Sequence, residues 1–322
     1  MKTLLITLFF TLSLWAQPIK IALLSAPGVI GKYSSSTYSV ALATLFSRNV
    51  PFELISIDMK DESSSSILLA LEKAKAQDVN ALLAPLTVAG AQELVNSNPN
   101  LPIFIPTVHK RDIQSSDNAI VFGAIDYQEQ IRKLQPHMTN VVATFYDDSP
   151  IGNNLNVFTS TVVKSSTPYP IDTQGANIVK YLGRPAAFSK KSVIVHLPIV
   201  KTSMLIAHLT FVGAHEHNIL STQMSFDPTL ISLTQSRDRK NMIVANSIVT
   251  QVPSIYEMNA LFNNDLTFDW INYTTSVGAD HLISLLINEQ RQYLLPINDS
   301  QVIYPVELMT PKEFGFEAFS KK

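Results

Sequence analysis

The chain has 322 residues, 46% hydrophobic and 16% charged, with a formal net charge of -2 and no cysteine. That balance lacks the basic excess expected of a nucleic-acid or anionic-membrane binder. The missing cysteines exclude a disulfide framework, a thiolate nucleophile, a cysteine-ligated zinc and a lipid-modified N-terminal cysteine.

The first sixteen residues carry Lys2, an apolar run from Leu4 to Trp15 and the small Ala16 before Gln17, which reads as a secretory signal cleaved after Ala16. Leu14 is larger than the residue usual three positions before a cut. No later stretch reaches the roughly 18 uncharged apolar residues of a membrane helix, so no membrane insertion is expected after cleavage. About 300 exported residues divide more naturally into two lobes than into one core.

Short β-branched runs then alternate with amphipathic stretches, the pattern of parallel strands joined by crossover helices and hence of an α/β fold. The spacing predicts strands over Ile19–Ser25, Phe52–Asp58, Val79–Ala84, Ile103–Pro106 and Ile120–Phe122. Helices are predicted over Ser34–Ser47, Ser66–Gln77 and Thr87–Asn96, with Ser63–Ser66 and Thr87 as caps. After Pro136 the rhythm restarts. Strands are predicted over Val141–Phe145, Ser192–Leu197, Asn218–Thr222 and Asn241–Ala245, and helices over Asn153–Lys164 and Thr202–Val212. A helix Tyr273–Asn288 and a strand pair Gln292–Pro296 and Gln301–Glu307 complete the chain.

Motifs for chemistry are sparse. Ala26-Pro27-Gly28-Val29-Ile30-Gly31-Lys32-Tyr33 lacks the first glycine and the final hydroxyl position of a phosphate loop. No Gly-x-Ser-x-Gly turn, His-Glu-x-x-His helix or glycine-rich dinucleotide fingerprint is present, and the chain is read as a non-enzyme without a cofactor. The adjacent Asp147 and Asp148 read as turn and cap formers. His215-Glu216-His217, with His208 nearby, reads as a polar turn after Gly213 and not as a metal site, because neighbouring side chains point apart.

Several segments resemble the type 1 periplasmic binding proteins, which include the branched-chain amino-acid binders of transport systems. Ile19-Lys20-Ile21-Ala22-Leu23-Leu24 with its following loop and helix is similar to that family's opening unit, and Val79 to Thr87 to its third strand and turn. Leu101 to Val108 is similar to its fourth strand, and Val141 to Gly152 resembles the strand that opens the second lobe. The likeness implies two Rossmann-like lobes joined by a multi-strand hinge. Lobe one would be 17–138 plus 249–295 and lobe two 139–248 plus 296–322, with chain crossings near His137, Ala245 and Pro296.

The same resemblance implies a cleft lined by Tyr33, Thr87, Thr107 and Tyr127 from lobe one and Ile151 and Gln223 from lobe two. Gln223 stands where the amino-acid binders carry an ammonium-pairing carboxylate, and a neutral amide cannot supply that charge-assisted bond. The implied function is a periplasmic solute-binding protein for a small polar ligand, delivering to a membrane permease or sensor. The alternative is a non-enzymatic scaffold for a periplasmic protein partner, like the binding-protein-like domain of lipoprotein activators of cell-wall synthases. No nucleic-acid partner is expected.

Overall fold

The computed structural model describes residues 18–31, 33–114 and 119–320. The segment read as a leader, 1–16, lies outside them. Strands β1 (Ile19–Ser25), β2 (Phe52–Asp58), β3 (Ala81–Leu83), β4 (Ile103–Ile105) and β5 (Ile120–Phe122) run parallel in the order β5-β4-β3-β1-β2. A second sheet repeats that winding with β6 (Val141–Asp147), β7 (Ser165–Ile171), β8 (Ser192–His196), β9 (Asn218–Ser221) and β10 (Met242–Asn246), in the order β10-β9-β8-β6-β7. The chain then returns to both sheets. The hairpin β11 (Ile297–Asn298) and β12 (Gln301–Val302) extends the first beside β5, and β13 (Glu307–Pro311) with β14 (Phe316–Ala318) extends the second beside β10.

Burial on both faces explains the near-continuous apolar strands. In β1, Ile21 and Leu23 enter one core while Ala22 and Leu24 enter the other. Side chains at the starts of the helices satisfy amides that would otherwise lack partners: Ser63, Thr87, Asp126, Ser149, Asp227 and Asp269 each accept from an N–H of the first turn. The helix Trp270–Ile287 lies across the first sheet and is buried over most of its length. Gly278 allows the approach, since a Cβ there would overlap the Phe104 ring. The carboxylate of Asp280 on that helix meets Arg48 at 3.1 Å and accepts the backbone N–H groups of Gln292 and Tyr293 at 2.8 and 2.9 Å.

Four expectations need correction. The sequence reading omits β7 because Pro168 and Pro170 interrupt it, but β7 is the edge of its sheet, where missing donors are tolerated. Gln292–Pro296 is not a strand. The hairpin begins at Ile297 and turns through Asp299 and Ser300, whose φ values of 48° and 61° suit a two-residue turn. The last exchange between sheets therefore falls between Val302 and Glu307, later than Pro296. The preceding exchange follows Asn246 at the end of β10, next to the Ala245 of the sequence reading. The helices Pro27–Ile30, Tyr127–Leu134, Asn177–Leu182, Pro228–Leu233 and Pro253–Leu261 have no counterpart in the sequence reading.

Candidate functional site

The chain leaves the carboxyl ends of β5 and β10 to reach the opposite lobe, so the carboxyl edges of the two parallel sheets face each other. That edge is where open α/β sheets hold ligands. Side chains pin all three crossings. Tyr304 donates from its hydroxyl to the Gly123 carbonyl at 2.8 Å, and Tyr273 donates to Thr250 at 2.9 Å. Gln301 donates to the Ala124 carbonyl at 3.1 Å. Between the first and second crossings, Gln130 donates to the Ser247 hydroxyl at 2.7 Å and accepts the Gln223 N–H at 2.8 Å, while the Gln223 side-chain carbonyl accepts the Ser247 N–H at 2.7 Å.

On lobe one, Tyr33 opens the helix Tyr33–Phe46 and sits close enough to Tyr127 to interact electrostatically. Tyr127 begins its own helix behind the Asp126 cap and packs edge-on to Trp270 at 6.3 Å. Burial of the Tyr127 hydroxyl, with Tyr33 and Asp269 beside it, pushes its ionisation upward, so it remains a neutral hydrogen-bonding group. Thr87 caps the helix Val88–Asn96 by accepting the Gly90 N–H at 3.3 Å, and both its hydroxyl and its backbone N–H donate to Glu62. Thr107 lies beside it, its hydroxyl donating to the Leu86 carbonyl. Arg111 at the same edge pairs with Asp126 and donates to Gln128. Burial and the Arg111 charge hold His109 down at about 4.

On lobe two, Ile151 occupies the first turn of the helix Pro150–Val162 and is half-buried. Asp147 ends β6, accepts from the Ser149 hydroxyl and meets Lys201 at 3.6 Å. Gln223 is buried in the crossing network described above, and its side-chain nitrogen lacks a hydrogen-bond partner. The same is true of the Thr222 hydroxyl and of His196 Nδ1. His196 bonds Thr159 through Nε2 at 2.9 Å, and complete burial lowers its pKa to about 3. The structure thus brings Tyr33 to Tyr127 and Thr87 to Thr107, and sets Ile151 and Gln223 on separate elements.

His215-Glu216-His217 occupies the loop before β9, at the opposite edge of that sheet from the cleft. Among the described residues no group of three or more histidine or carboxylate side chains is placed to hold a metal ion, and no helix is long and apolar enough to cross a membrane. Two surface depressions of about 600 and 620 Å³ lie on outer faces, one between Phe46 and Phe52 and one between His208 and Arg237. Glu62, Gln130, Ser247 and Tyr304 escape the sequence reading because each is a polar residue in a loop or a short helix, without spacing that ties it to a distant partner.

No protein-family model and no curated protein sequence matches the chain. Solved structures do. A leucine binding protein from Thermotoga maritima superposes with a TM-score of 0.67 at 11% identity, over 94% of this chain and 98% of that one. A branched-chain amino acid transporter substrate binding protein from Streptococcus pneumoniae, solved with isoleucine, gives 0.61 at 13% identity over 94% and 98%. The C-domain of LpoA from Haemophilus influenzae, a regulator of PBP1A, gives 0.60 at 9% identity over 94% and 100%. The chain has the two-lobed α/β fold of the type 1 periplasmic binding proteins, and at these identities the fold is what is shared.

Proposed function

We propose that this chain is an exported solute-binding protein that holds a small, uncharged polar ligand between its lobes, without transforming it, for delivery to a permease or sensor. The observation that carries this is the chemistry of the opposed edges. Hydroxyl and amide groups from Tyr33, Thr107, Tyr127, Thr222 and Gln223 lie there, while Glu62, Arg111, Asp126, Asp147 and Lys201 bond within their own lobe. A ligand bearing a full charge would have to compete with these internal pairings for a counter-charge, which is costly. Export directed by residues 1–16 would deliver the protein to the periplasm.

A second reading, a scaffold for a periplasmic protein partner, is favoured by one feature: the Gln130–Ser247–Gln223 network fastens the crossings on which closure would depend. Thermal-shift and small-angle scattering screens against neutral polar metabolites test the first reading. Its expected result is a higher unfolding midpoint and a smaller radius of gyration with at least one compound. A flat response to every compound, together with a stoichiometric partner recovered from periplasm, supports the scaffold instead. Mass spectrometry of small molecules released from gently purified protein would identify the ligand directly.

A further inference from the structure

The turn after β3 carries the parts of an anion cradle: the Thr87 hydroxyl, the Thr87 N–H and the first turn of the helix Val88–Asn96. This cradle is filled from within the chain. Both oxygens of Glu62, from the loop after β2, accept the Thr87 N–H, at 3.2 and 3.1 Å, and Oε2 also accepts the Thr87 hydroxyl proton. Thr87 has one hydroxyl proton and it goes to Glu62, while its Oγ1 takes the Gly90 N–H. Gly90 completes the fit. A Cβ at that position would overlap the carboxylate and the Cβ of Glu62, so the carboxylate seats against bare backbone.

We infer that Glu62 is a tethered carboxylate that occupies the lobe-one cradle and makes the cleft select against ligands presenting a free carboxylate there. The selection rests on the reading of the cleft as a solute site. The occupancy rests only on Glu62, Thr87 and Gly90. Tethering supports it. A group held on a short loop acts at an effective concentration on the order of millimolar or higher, so a free carboxylate must both displace it and accept the repulsion of a second negative charge. The chain therefore discriminates by an element already in place, in addition to the missing counter-charge at Gln223.

Formate tests the occupancy because it is the smallest carboxylate and carries no other recognition element. The chain and its Glu62→Ala and Glu62→Gln variants would be titrated with sodium formate against equal sodium chloride, following the backbone amide resonances of Thr87 and Gly90 and the unfolding midpoint. Glu62→Ala is expected to bind formate at least about tenfold more tightly than the unaltered chain, to shift both amides and to regain part of its lost midpoint. Glu62→Gln keeps the shape and loses the charge, and is expected to fall between the two. Adding Thr87→Val to Glu62→Ala should abolish the response. Unmoved Thr87 and Gly90 amides in both Glu62 variants, or equal formate binding by the unaltered chain, would overturn the inference. A failed screen for neutral ligands would remove the cleft reading and leave this formate result intact.

Discussion

The two lobes share a winding order but bury polarity in different ways. On lobe one the central helix carries a charged group with every contact made: Asp280 meets Arg48 and two backbone amides, and Arg48 also reaches Glu289 at 3.1 Å. On lobe two the charged groups lie at the sheet ends, Asp147 beside Lys201 at 3.6 Å and Arg239 against the Thr234 and Lys312 carbonyls, and the layer under the helices is uncharged. Below the helices Tyr127–Leu134 and Pro150–Val162, the apolar core narrows to Leu134, Val142, Ile194, Leu220, Ile243 and Ala245. At its cleft end lie His196, Thr222 and Gln223, each with one buried atom lacking a partner. A satisfied buried ion pair resists rearrangement because any shift uncovers a charge, whereas an unsatisfied hydroxyl or amide gains from a shift that finds it a partner. The ion pair is therefore the fixed point of lobe one, while uncharged buried atoms without a partner occur on both lobes, those of Asn272, Thr275 and Ser284 on the return helix among them.

The largest expected effect breaks the fixed side. Asp280→Ala leaves Arg48 buried without its internal partner and strands the amides of Gln292 and Tyr293, and should cost about 3–5 kcal/mol in urea unfolding. A loss below about 1 kcal/mol would show that the pair is not the anchor of lobe one. Close behind, Gly278→Val drives a branched side chain into the Phe104 ring and should cost about 1–3 kcal/mol by the same measurement. An unchanged midpoint would mean that the helix and the sheet can separate without penalty.

Lowering the pH sharpens the contrast. The unfolded chain takes up a proton on His196 near its ordinary value of 6.5, while the native side chain stays neutral down to about 3. Stability present above pH 6.5 is thus lost as the pH falls, by about 2 kcal/mol at pH 5 from this group. His281 on lobe one, held down to about 4 by burial and by Arg291, acts with the same sign. His196→Leu and His281→Leu should each flatten the pH profile of the unfolding free energy between 5 and 6.5, and an unchanged slope in the His196 variant would contradict its burial as a neutral group.

The effect most open to relief by water probes the crossings. Gln130→Ala removes the bonds to Ser247 and Gln223 and should cost about 1–3 kcal/mol if both partners are stranded, less if water reaches them. It should also raise the radius of gyration measured by scattering if the network holds the lobes together. Unchanged dimensions would assign closure to Tyr304 and Tyr273 instead.

Much of the architecture is legible in the chain. β1 and β5 coincide with their apolar runs, because strands buried on both faces must be largely apolar, and β2, an edge strand with Glu53, Ser56 and Asp58 exposed, coincides with the run Phe52–Asp58. The caps at Ser63 and Thr87 are equally readable, since a hydroxyl before an amphipathic run has a local duty to the first turn. Their further bonds are not. Nothing around Thr87 indicates that Glu62, 25 residues earlier, takes its hydroxyl proton, and nothing around Gln223 indicates that Gln130 and Ser247 absorb it. The hairpin at Asp299 and Ser300 is not legible either, because its two-residue strands are too short to carry a period.

Periodicity and capping act within one turn of helix or one strand, so the alternation of elements and the α/β class follow from the order of residues alone. Which polar group meets which across the cleft, where the chain makes its last exchange between lobes, and whether a cradle stands open or filled depend on contacts between segments far apart in the chain. Those contacts come into being only when the sheets are wound and packed, because a hydrogen bond is decided by a fraction of an ångström and no local pattern records distance through space.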